Sequence, residues 1–282
     1  MIKTQELTDQ HLSDVNRLVS SAFGYSGSHT YFDDFPIWGS HQVLRLGILH
    51  EEKLISHVGV HFAEIRGSDE PVPVALIGAV ATDENHRGHG YSSTLMKEAI
   101  RRVEEKGCEW IFLWGSEHEF YEKLGFLLAG SQSRVLLASL PGVETHRHPQ
   151  VKTGLTETIF DFLKNRDTGV VLKDADREWY FLHSTVKWFY LENPFAFVAF
   201  ERGMDLPHLV HEWGGDPAQL KVLLSHVLSF DPQAQLLGTH DDLIRLGGEP
   251  SNLIEEFLCL ARPCQPSAVW DERFWISGLN AC

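Results

Sequence analysis

The stretch AVATDENHRGHGYSSTLMKEAIRRVEEKG, residues 79–107, restricts the fold more than any other part of the chain. An apolar run passes through small and polar residues into a helical pattern. Leu95, Ala99, Ile100 and Val103 share one face of that helix, and Gly107 is placed to end it. CEWIFLWGS, residues 108–116, then reads as a buried strand. A strand–loop–helix–strand unit of this kind makes its two strands parallel neighbours. Upstream, VLRLGILH, LISHVGVHFAEIRG and VPVALIGAVATD are strand-like runs joined by the short polar turns EEK and SDEP, so they are expected to pair antiparallel. The fold class is therefore mixed α/β (α+β), a mostly antiparallel sheet with one parallel strand pair.

The loop at residues 87–93 carries the chemistry. A helix start offers unpaired backbone N–H groups and the positive end of its dipole, which together attract phosphate. Gly88 and Gly90 let a ligand approach the backbone, Arg87 adds a cation, and Ser92 and Ser93 add hydroxyls. The same residues also fit a plain glycine-rich turn whose serines cap the helix. No GK[ST] ending is present, which argues against a nucleotide-triphosphate P-loop. A dinucleotide fingerprint is opposed by the antiparallel strands that come first, and with it a nicotinamide-dependent oxidoreductase.

Charge and composition narrow the partners. A net charge of −15 opposes sequence-independent binding to nucleic acid, and no apolar stretch approaches the length of a membrane span. The N-terminus MIKTQELTDQHLSD lacks a signal-peptide core, and Cys108, Cys259, Cys264 and Cys282 show no metal or redox spacing. These features predict a cytoplasmic protein. His57, His61, His86, His89 and His118 form no recognised ligand set, so no metal is expected.

RGHGYS, residues 87–92, resembles the [Q/R]xxGx[G/A] signature of the GNAT superfamily of acetyl-coenzyme A-dependent N-acetyltransferases, with Ser92 in place of the last small residue. A second GNAT-like motif, LWGSEHEFYEKLGF at residues 113–126, follows at the family's distance. The resemblance covers roughly residues 1–140 and implies the GNAT fold, in which the parallel strands splay apart to admit acetyl-coenzyme A. It implies that Val80, Ala81 and Thr82 face the pantetheine arm and that Arg87, Gly88, His89, Gly90, Tyr91, Ser92 and Ser93 hold the pyrophosphate. The Val80 amide would stabilise the oxyanion, and Tyr121 would protonate the departing thiolate. The acceptor would be a primary amine on a small molecule or a peptide. No carboxylate occupies the usual base position, which leaves Glu117, His118, Glu119 and His61 as candidates. An alternative is a non-catalytic acyl-coenzyme A binding or sensing module, which would have no need of Tyr121. Oligomeric state is not legible.

PGVETHRHPQVK, residues 141–152, reads as a linker between a catalytic domain at 1–140 and a second domain at 153–282. The second half repeats the order strand, strand, helix, strand, short helix, strand, with NLIEEFLCLARP as its last strand. It resembles the degenerate half of tandem-GNAT proteins, because EWGGDPAQL lacks the arginine and spaced glycine, and HDDLIRLG has no tyrosine. One active site is expected. The aromatic tail with Trp270, Phe274 and Trp275 is expected to pack on the body, and Cys282 is a candidate to reach the active site.

Overall fold

Runs rich in Val, Ile and Leu through 43–82 build three long strands, and the rest of the molecule is arranged around them. The computed structural model describes residues 3–68 and 70–280. In chain order the first half contributes β1 (Thr4–Glu6), α1 (Leu12–Ala22), α2 (Tyr31–Asp34), β2 (Val43–His50), β3 (Lys53–Ile65), β4 (Val72–Thr82), α3 (Tyr91–Glu105), β5 (Trp110–Leu113), α4 (His118–Glu122), β6 (Leu127–Ala129) and β7 (Gln132–Leu136). The second half contributes β8 (Lys152–Thr153), α5 (Glu157–Lys164), α6 (Arg177–Tyr180), β9 (Lys187–Glu192), β10 (Phe195–Phe200), β11 (Leu209–Gly215), α7 (Pro217–Leu228), β12 (Gln235–Gly238), α8 (His240–Arg245), β13 (Ile254–Glu256) and β14 (Cys259–Pro263).

Among the described residues the strands form two seven-stranded sheets, ordered β1-β2-β3-β4-β5-β14-β6 and β8-β9-β10-β11-β12-β7-β13. The two orders match slot for slot. In each sheet a meander leads through a helix to one parallel neighbour, β4 to β5 through α3 and β11 to β12 through α7. The chain is thus a tandem of GNAT-like sheets, with one feature that local pattern did not reveal: β7 and β14 are exchanged. β7 completes the second sheet and β14 sits between β5 and β6 in the first.

The exchange corrects the reading of NLIEEFLCLARP as one strand. It is two, β13 and β14, divided at Phe257 and Leu258 and delivered to different sheets. The two crossing segments touch each other: the Leu258 amide donates to the Gly130 carbonyl at 3.4 Å, and the Trp114 indole donates to the Leu258 carbonyl at 2.8 Å. A side chain at Gly130 would stand 2.7 Å from Trp270 and 3.0 Å from Leu258, and the backbone there has φ +63°, so only glycine fits the crossing. The segment 141–152 therefore does not separate two closed sheets.

The halves also share a core. Val15 and Val19 of α1, with Tyr31 and Trp38 of the aromatic segment, are buried in one cluster with Phe160, Trp179, Trp188 and Phe197 of the second half. α3 covers the first sheet with Leu95, Met96, Ala99, Ile100 and Val103, while its outer face pairs Glu98 with Arg101 and Arg102. The C-terminal tail packs as expected of its aromatic content, with Trp270 and Phe274 edge-on to Phe112 at 6.1 Å each. Cys282 lies outside the described residues.

Candidate active site

The site begins where β4 and β5 part. Their parallel register runs from Val74↔Trp110 to Ile77↔Leu113 and stops, although β4 continues to Thr82. On its other edge β4 carries a bulge: the register with β3 passes from Gly59↔Gly78 to His57↔Ala81, leaving Ala79 and Val80 unmatched. Ala79 is held at φ +52°, a left-handed conformation that costs an alanine about 1–2 kcal/mol. His57 braces it. Fully buried, this ring donates from Nδ1 to the Ala79 carbonyl at 2.8 Å, and burial lowers its pKa to about 4, so it stays neutral. Gly59 is the second support, since a side chain there would meet the Trp38 ring at 2.5 Å. Neither role was visible in the strand pattern. Bulges of this kind bend a strand and re-aim its groups, here beside the gap.

Downstream, the glycine loop delivers an open helix end. Gly88 and Gly90 have φ +79° and +78°, and a side chain on either would meet nothing within 4 Å. Gly90 is the N-cap of α3 and provides no side-chain cap, so the first amides of the helix have no intrahelical acceptor. A hydrogen-bonded row of hydroxyls, Ser56 to Thr82 at 2.8 Å and Thr82 to Ser92 at 2.7 Å, ties β3 and β4 to this end. Arg87 donates to the Thr82 carbonyl at 3.2 Å, and His89 stacks on Tyr91 with centroids 5.7 Å apart. The corresponding end of α7 is closed by its own carboxylate: Asp216 accepts from the amides of Ala218 and Gln219, both at 3.0 Å. The two halves differ here in the one property that an anion site needs.

Between the parted strands lies a cavity of about 640 Å³, bordered by Ala79, Val80, Glu117 and Tyr121. Tyr121 is 8% exposed, with its ring held between Phe120 and Phe126. Gly115 makes room for it, because a side chain there would lie 2.7 Å from the ring and 3.2 Å from the hydroxyl. Burial, and then the Glu117 carboxylate, push the phenol up to about 12, so it carries its proton at neutral pH. Of the four candidate bases, only Glu117 borders the cavity. His118 and Glu119 are exposed outside it. His61 is instead buried between the halves, edge-on to Trp179 at 6.4 Å, and burial lowers its pKa to about 4 despite Asp176 nearby.

The opposite wall was not foreseen. Arg134 of β7, Arg202, Asp205 and Glu256 border the same cavity, and Ile276 and Gly278 of the tail close it. Their charges are paired, Arg134 with Glu256 at 2.9 Å and Arg202 with Asp205. Tyr25 donates to the buried Asp34 at 2.6 Å on the wall made by the aromatic segment. These residues reach the site only through the strand exchange and the packing of the halves.

The parted parallel pair, the bulge at the gap and the uncapped helix beside it all lie within residues 3–129, which match the family model described as an acetyltransferase (GNAT) domain. The N-terminal half is thus similar to a GNAT acetyltransferase domain. Solved structures extend the likeness across both halves. A GCN5-related N-acetyltransferase from Kribbella flavida superposes with a TM-score of 0.66 at 20% identity, over 95% of this chain and 73% of that one. Eis1 from Mycobacterium abscessus gives 0.63 at 14% identity, over 94% and 74%. A putative acetyltransferase from Pyrococcus horikoshii gives 0.58 at 14% identity, over 100% and 96%. At these identities the likeness is one of fold. No curated protein matches the sequence.

Proposed function

We infer that the protein transfers an acetyl group from acetyl-coenzyme A to a primary amine of a small molecule or peptide, in one site formed at the first sheet. The observation that carries this reading is the open N-terminus of α3, with unclaimed amides and two bare glycines, beside a gap that contains Tyr121. Residues 87–93 would hold the pyrophosphate, and Val80, Ala81 and Thr82 would take the pantetheine arm along the free edge of β4. The Val80 amide, left unmatched by the bulge, is the donor available to the carbonyl oxygen as it gains charge.

The amine nitrogen attacks the thioester carbon, the carbon–sulfur bond breaks, and the thiolate takes the Tyr121 proton. A phenol at about 12 is a weak acid against a thiol in water at about 8.5. The cavity alters that comparison. Burial raises the thiols of Cys108 and Cys259 in this same protein, and partial removal from water would shift a thiolate formed in the gap in the same direction. The shift brings donor and acceptor closer together. Glu117, at the cavity wall, is positioned to receive the proton that the attacking amine gives up, directly or through water.

The space that Gly115 leaves for the Tyr121 hydroxyl favours this reading over a non-catalytic acyl-coenzyme A sensor, which has no use for a buried phenol at the thioester. The test is a panel of primary amines incubated with acetyl-coenzyme A and followed by thiol release. Release that depends on an amine and on Tyr121 supports transfer; coenzyme A binding without turnover for any amine supports the sensor.

A further inference from the structure

The second sheet has a gap of its own. β11 and β12 are paired only at Leu209↔Gln235 and Val210↔Leu236, after which they separate as β4 and β5 do. β11 also bulges there, because its register with β10 passes from Ala199↔Glu212 to Phe200↔Val210 and leaves His211 unmatched. A cavity of about 580 Å³ occupies this gap, and His211 and Glu212 both border it, although adjacent strand residues ordinarily face opposite ways.

Glu212 is the unusual group. Its side chain is 2% exposed, one oxygen is bound by Arg166, and the other, Oε1, has no donor. Buried acceptors are seldom left unpaired, and a carboxylate oxygen least of all. His211 adds a second vacancy of the same kind. Its Nε2 donates to the Glu201 carbonyl at 2.9 Å, which leaves Nδ1 as an acceptor, and that atom also has no donor. That nitrogen lies against Gly278, so the acceptor for which this gap must provide an N–H donor is Glu212 Oε1. Aromatic rings of Phe162, Trp213, Phe274 and Trp275 also border the space; at its rim Arg245 is paired with Asp242, and Asp241 and Glu272 stand there with Arg273. Rings beside the donor-less Glu212 oxygen favour a charged N–H donor carried on an apolar body.

The self-capped α7 denies this gap the anion site that α3 offers, so an acyl-coenzyme A is not the occupant that the geometry favours. We propose that the gap between β11 and β12 is a second, separate binding site for a small aromatic or aliphatic primary ammonium compound, whose nitrogen donates to Glu212 Oε1. It is distinct from the cavity at Tyr121.

Crystals of the full chain soaked with 2-(4-bromophenyl)ethylamine test this, with bromine located by its anomalous signal and affinity measured in solution by calorimetry. The expected result is bromine among Trp213, Phe274 and Trp275 with the nitrogen in hydrogen-bond distance of Glu212. Glu212→Gln should weaken binding at least tenfold, and 2-(4-bromophenyl)ethanol should bind at least tenfold more weakly than the amine. Glu212→Gln leaves Arg166 without its partner, so Ser131→Trp, an exposed position on the cavity border, provides an independent steric block that should abolish the signal. Bromine found only beside Tyr121, no binding in solution, equal affinity for the alcohol, or undiminished binding by a folded Ser131→Trp protein each overturns the proposal.

Discussion

Placing a carboxylate at the open end of α3 should convert it into the closed kind seen at α7. In Gly90→Asp the new Cβ meets nothing within 4 Å, so packing is untouched, and the backbone cost of a left-handed aspartate at φ +78° is about 1–2 kcal/mol. For a protein of this size that corresponds to a fall in Tm of only about 2–8 °C. Coenzyme A should lose far more. Asp216 engages two amides at its own helix start, and a pyrophosphate displaced from two such donors forfeits charge-assisted hydrogen bonds of about 1.5–3 kcal/mol each. The sum corresponds to roughly 10²–10⁴-fold weaker binding, before any repulsion between the carboxylate and the phosphates. Calorimetric titration with coenzyme A, alongside thermal denaturation of the same sample, separates the two effects. Affinity within threefold of the parent in a protein of near-parental Tm would refute the assignment of residues 87–93 as the pyrophosphate cradle.

Tyr121→Phe keeps the ring packing between Phe120 and Phe126 and should lower kcat by roughly 10²–10⁴-fold with coenzyme A affinity unchanged; single-turnover kinetics at parental speed would remove Tyr121 as the acid. Asp216→Ala should cost about 0.5–2 kcal/mol of stability by chemical denaturation, and the parent should bind one coenzyme A per chain, a stoichiometry of two being the contrary result. Acid should destabilise the fold early. His57, His61 and His211 have folded pKa values near 4 because of burial, so between about 6.5 and 4 the unfolded chain binds protons that the folded chain does not. Their contribution is complete above pH 6.5 and is lost as pH falls, at up to about 1.4 kcal/mol per pH unit for each ring. A Tm that stays flat from pH 7 to 5 would contradict this.

What could be read from the sequence was what is local. The meander, α3, β5 and α4 each follow from a period or a turn signal within about 15 residues, and the glycine loop declares its backbone geometry through Gly88 and Gly90. The exchanged strands could not be read that way. Nothing in NLIEEFLCLARP separates Ile254 from Leu260, because β13 and β14 differ in the sheet that receives them, and partners lie far away in sequence. The same distance hid Arg134, Arg202, Asp205 and Glu256 from the site. His61 was misplaced for another reason: a strand pattern does not reveal that the second half covers that face of the first sheet, where the imidazole lies edge-on to Trp179. His57 lacked any signal, since its task is set by a bulge that alternation does not encode.

The exchange of β7 and β14 also sets an order of events. As the chain is synthesised, β5 and β6 emerge with the slot between them unfilled, and the strand that fills it arrives about 130 residues after β6. Throughout that interval β5 and β6 have exposed edges, the condition under which strands recruit foreign partners. Ile276 and Gly278, which close the Tyr121 cavity, arrive later still. A nascent chain halted before β14 would therefore hold the whole glycine loop and the tyrosine, yet lack the enclosure around them.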